Sequence, residues 1–103
     1  MDIETLLEKL IAKTELKKLE WRASNTMGRY EVDVKGGALA IDSSFNPQDM
    51  YYRLFIMDKL SNLSKTYRFA EKSASYETIK KLYQIVNEKY NNEFIKRIIE
   101  EMK

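Results

Sequence analysis

The chain has 103 residues, 44% hydrophobic and 33% charged, with a formal net charge of +2. That size and apolar content support one folded domain over residues 1–103 and argue against disorder. Cysteine and histidine are both absent, which excludes disulfides, thiolate chemistry, and the commonest general base and transition-metal ligand.

The opening "MDIETLLEKLIAKT" places Ile3, Leu6, Leu7, Leu10 and Ile11 at helical spacing. Asp2 can cap this helix and Glu4 suits its positive first turn, so a helix is predicted over about residues 2–14. Period two follows. Leu19, Trp21 and Ala23 share one face of a first strand, and Tyr30, Val32 and Val34 share one face of a second. Gly36-Gly37 signals a two-residue hairpin. Taking both glycines as the turn pairs Lys35 with Ala38, Val34 with Leu39, Val32 with Ile41 and Tyr30 with Ser43.

Ser43 to Met50 reads as a polar loop around Pro47, the only proline. "YYRLFIMD" is the fourth strand, residues 58–63 form a turn, and "SKTYRFA" is a fifth strand at an edge. Ser73 or Ser75 caps the closing helix, and Ser75 is better placed because Ala74 and Ile79 sit at staple spacing. Ile79, Leu82, Val86 and Tyr90 form its apolar stripe. Asn91-Asn92 is a point where the helix can break, with Phe94, Ile98, Ile99 and Met102 resuming it. The expected fold is α+β: an N-terminal helix, an antiparallel β-meander of four to five strands and a C-terminal helix, with both helices on one face of the sheet.

The fourth strand departs from simple alternation. Tyr52, Leu54 and Ile56 share one face, while Tyr51, Phe55 and Met57 lie with Arg53 on the other. Two helices cover one face of such a sheet, so the second set is expected to face outward near Ala38 and Ala40. Exposed apolar patches mark partner surfaces, and aromatic residues, Met and Arg are enriched there. Tyr51, Arg53, Phe55 and Met57 are therefore the candidate partner-binding residues. The competing expectation is that the loop with Phe45 and Pro47, or the segment after Asn92, folds across this face.

Catalytic and cofactor signatures are missing. There is no G-x-S-x-G, Walker, G-x-G-x-x-G or EF-hand pattern, so no enzyme activity, metal site or cofactor is expected. Glu31, Asp33 and Asp42 could gather on one sheet face, but Arg29 and Lys35 share it, and a solvated strand face is the preferred reading. Trp21 is assigned to the core, as are Tyr30, Tyr83 and Tyr90 to packing positions. Acidic residues interrupt the first apolar run, and no run reaches the ~20 residues of a membrane span, so a cytoplasmic protein is expected.

The layout, with its early "LEW" strand, its "YRLFIMD" strand ending in a polar turn and its "YETIKKLYQIV" closing helix, resembles small bacterial and phage helix–β-meander–helix proteins. Proteins of that build include immunity proteins, antitoxins and inhibitors of host defence, which act by binding a protein and blocking its site. The resemblance implies a non-enzymatic interaction module. The sheet face would dock a protein partner, or a second copy as a homodimer. One alternative is a purely structural homodimer, and the other is single-stranded nucleic-acid binding, since Tyr51, Arg53, Phe55, Tyr67, Arg68 and Phe69 supply stacking rings and cations. "TYRFAEK" lacks the RNP1 glycines, and Tyr67 and Phe69 can equally be core.

Overall fold

A computed structural model describes residues 2–44 and 46–103. The order is α1 (Ile3–Glu15), β1 (Arg22–Ala23), β2 (Tyr30–Val34), β3 (Gly37–Ser43), β4 (Tyr51–Asp58), β5 (Leu63–Ala70) and α2 (Tyr76–Glu101). The strands form one antiparallel meander in the order β1-β2-β3-β4-β5. The α+β fold expected from the sequence is the fold found.

Asp2 caps α1 as its side chain suggests, with Oδ1 accepting from the Thr5 amide at 2.7 Å. Leu7, Leu10 and Ile11 then face the core. At the helix end, Thr14 Oγ1 donates to the Leu10 carbonyl at 2.6 Å and accepts from Trp21 Nε1 at 3.0 Å. That bond anchors the half-buried Trp21 against the core. The first strand is shorter than its alternation suggests. Only Arg22 and Ala23 pair with β2, because Trp21 is turned towards α1.

The hairpin register differs by two residues from the sequence expectation. Val34 pairs with Gly37, Val32 with Leu39 and Tyr30 with Ile41, so the turn residues are Lys35 and Gly36. Gly36 supplies the left-handed backbone at φ +83°, which glycine adopts without steric cost. Gly37 belongs to the strand, where a Cβ would strike the Met57 carbonyl across the β3–β4 ladder. A shift of two leaves every side chain on its expected face.

The inner face is the core. Tyr30, Val32, Leu39, Ile41, Tyr52, Leu54 and Phe69 pack against α1 and against Tyr76, Ile79, Leu82, Tyr83 and Val86 of α2. Ring contacts link the strands to α2: Tyr30 lies 5.7 Å from Tyr83 and 5.6 Å from Tyr90, and Tyr52 lies 5.4 Å from Tyr83. The Tyr83 hydroxyl donates to the Gly28 carbonyl at 2.9 Å, and the Tyr30 hydroxyl donates to Asn87 Oδ1. Between the helices, Thr78 Oγ1 donates to the Glu4 carboxylate at 2.7 Å, which holds that carboxyl below its ordinary value.

Burial pushes the Tyr30 and Tyr52 phenols above their ordinary value of 10.0. Folded chains therefore keep these protons while unfolded chains release them. The contribution to stability is fully present below the ordinary value and is lost as pH rises through the raised one. Urea midpoints measured across this alkaline range should fall. The fall should be smaller in a Tyr30→Phe/Tyr52→Phe variant compared with its own neutral-pH midpoint.

Two expectations for α2 are corrected. Ser75 occupies the N-cap position with φ 68°, but its side chain makes no capping hydrogen bond. The start of α2 is instead led in by a turn in which Ser73 Oγ donates to the Ala70 carbonyl at 2.7 Å. Nor does the helix break at Asn91-Asn92; it runs unbroken for 26 residues. A 26-residue helix is ~39 Å long, and residues 91–103 are all exposed. The radius of gyration, 14.5 Å, exceeds the roughly 13 Å of a compact chain of this size. No helix among the described residues is long and apolar enough to cross a membrane.

Candidate protein interface

Strict alternation in β4 divides its side chains. Tyr52 and Leu54 go to the core, while Tyr51, Arg53, Phe55 and Met57 go to the outer face. The β3 register sets Ala40 opposite Phe55, Ala38 opposite Met57 and Asp42 opposite Arg53. On the other side β5 sets Thr66 opposite Phe55 and Arg68 opposite Arg53. All four sequence-selected residues therefore share one surface.

At the centre of that surface Asp42 is held by two guanidiniums. Arg53 donates from Nε to Oδ1 at 2.9 Å and from Nη2 to Oδ2 at 2.7 Å. Arg29 donates to Oδ2 from Nε at 3.3 Å and Nη2 at 3.1 Å. The Asp42 side chain is only 4% exposed, against 28% for Arg29 and 36% for Arg53. A carboxylate this dry persists because charge-assisted hydrogen bonds replace its water. The same bonds hold the Arg53 guanidinium above its ordinary value, with burial opposing.

The guanidiniums also stack on the rings. Arg29 lies 4.4 Å and Arg53 5.2 Å from the Phe55 centroid, and Arg68 lies 4.3 Å from that of Tyr51. Arg68 is steadied by Asp49, 3.2 Å away. Such cation–π contacts fix the ring and the charge together. Beside them Ala38 and Ala40 floor a shallow trough of about 250 Å³, walled by Phe55 and Met57 on one side and by Arg29 and Glu31 on the other. Met57 stands 52% exposed at its rim.

Among the described residues no segment is seen folded across this face. The tail after Asn92 belongs to α2, whose packing is on the inner face, and it is exposed throughout. Phe45 lies outside the described residues, while Asn46 and Pro47 are exposed. Compared with protein-family models, with curated proteins and with solved structures, the chain matches none.

Two of the three acids considered for a cation are held by cations of the protein itself, and among the described residues no group of three His, Cys, Asp or Glu side chains could hold a metal ion. Asp42 is bound as described, and Asp33 lies 3.2 Å from Arg22 and 4.0 Å from Lys59. Of the aromatic residues considered for base stacking, Phe69 is buried and Tyr67 packs against the core. Only Tyr51 and Phe55 remain on the outer face. Sequence reasoning missed Arg29 as part of this surface and brought in Arg68 only for the nucleic-acid alternative. The signal for them was parity: each lies an even number of residues from an outward-facing neighbour on its own strand or its extension.

Proposed function

We propose that the outer sheet face is a protein-docking surface, and that the chain is a non-enzymatic interaction module acting by covering its partner's surface in the manner of inhibitors and immunity proteins. The observation that carries this reading is a pair of half-buried rings on the outer face, Tyr51 and Phe55, already oriented by Arg29, Arg53 and Arg68. Pre-oriented aromatic residues and arginines lose little entropy on binding and dominate interface energetics.

The partner's chemistry follows from the trough and the charges. Around the trough Arg29, Arg53 and Lys65 stand against Asp42 and Glu31, which leaves one positive charge in excess. The trough over Ala38 and Ala40 accepts one apolar side chain. The fitting partner is a protein that presents an apolar anchor beside a carboxylate. Nucleic acid fits less well, since the outer rings are stacked by the protein's own guanidiniums, which a base would have to displace.

The test places a photo-crosslinking residue at Met57 of the full chain, with a second one at Lys81 on α2 as control. One protein should be captured from Met57 and not from Lys81. Ala40→Arg, which fills the trough, should abolish that capture while shifting the thermal midpoint by only a few degrees. Capture unaffected by Ala40→Arg, or none at all, overturns the reading. Oligonucleotide binding that weakens steeply with salt would transfer the face to nucleic acid.

A further inference from the structure

Part-way along its length, α2 changes the side that it makes apolar. Tyr76, Ile79, Leu82, Tyr83 and Val86 face the core. Beyond Asn92 the apolar residues are Phe94, Ile95, Ile98, Ile99 and Met102, each between 40% and 80% exposed. At 100° per residue, the second set is turned by roughly 130° about the axis from the first. Because the helix is unbroken through Asn91-Asn92, the second stripe faces away from the chain's own core. On the core-facing side of the tail stand Glu93, Arg97 and Glu100 instead.

We propose that this stripe pairs with the same stripe of a second copy, as an antiparallel helix pair about a two-fold axis. Area supports a second copy. With residue surfaces of roughly 200 Å², the exposed fractions leave about 500 Å² per chain, so the pair buries about 1,000 Å², the lower end of specific interfaces.

Charge supports the antiparallel sense. Arg97 reaches from the core-facing side towards the stripe, its guanidinium 5.8 Å from the Phe94 ring centroid, and Glu101 follows one turn later between that side and the stripe. Among the described residues neither forms an ion pair within its chain. A two-fold centred on Ile98 sets Phe94 of each copy against Met102 of the other, a favourable aromatic–sulfur contact. It also brings each Arg97 within about 3 Å of axial register with the other copy's Glu101. The globular parts then lie at opposite ends of the pair. A lipid surface fits less well: three acids and three bases from Glu93 onward balance, whereas anionic bilayers select a basic polar face. This contact is independent of the sheet face, which lies on the far side of the sheet from α2.

Sedimentation velocity of the full chain from low to several hundred micromolar should show a monomer–dimer equilibrium. Ile98→Glu should weaken it at least 100-fold with an unchanged far-ultraviolet circular dichroism spectrum. Arg97→Glu and Glu101→Arg should each weaken the dimer, and the double charge exchange should restore it. A monomer at every concentration, a dimer indifferent to Ile98→Glu, or single and double exchanges with equal effects would overturn the proposal. So would a monomer that instead co-sediments with phosphatidylserine vesicles.

Discussion

Replacing Asp42 with alanine is expected to lower the unfolding free energy by about 2 kcal/mol, measured by urea titration at neutral pH. The side chain is 4% exposed and accepts four hydrogen bonds from two arginines. Removing one member of a wholly buried pair costs about 3–5 kcal/mol, because the remaining charge stays dry. Here Arg29 and Arg53 are about one-third exposed and can turn to water, which reduces that penalty. Turning to water also releases their stacking on Phe55, so the outer face should lose its order. Asp42→Asn keeps the shape without the charge and should fall between wild type and alanine. A loss below about 0.5 kcal/mol for alanine would mean that the pair contributes no more than an ordinary surface ion pair.

The second large effect separates the two faces of β4. Leu54 is fully buried beneath α2, so Leu54→Ala should cost about 3 kcal/mol through lost transfer energy and the cavity left behind. Met57, three residues along on the opposite face, is half exposed, and Met57→Ala should change stability by less than about 0.5 kcal/mol. Thermal and urea unfolding of the two variants side by side checks this. Comparable losses would place Met57 in a packed environment and remove it from the proposed docking surface. Only the Met57 variant should weaken binding of the partner identified by crosslinking without a matching loss of stability.

Local pattern carried most of the fold. Period two along Tyr30 to Val34 and Tyr51 to Asp58, helical spacing from Ile3 to Ile11, and the cap at Asp2 each express contacts within a few residues. These determined the element types, the meander and the outward direction of Tyr51, Arg53, Phe55 and Met57. The turn within the hairpin was misread because two adjacent glycines satisfy the same turn signal. The deciding fact was steric, a third strand leaving no room for a Cβ at position 37. Asn91-Asn92 suggested a break by propensity, yet propensity is a weak prior, and α2 continues through both residues.

The sequence by itself determined the layers, the face of each strand side chain and the absence of cysteine and histidine chemistry. Tertiary structure alone decided that Asp42 joins Arg29 to Arg53, that guanidiniums cap the outer rings, and that the end of α2 presents its stripe away from the domain. The physical reason is range. Alternation and capping are set by neighbours in the chain, whereas ion pairs, ring stacking and burial depend on which distant segments meet.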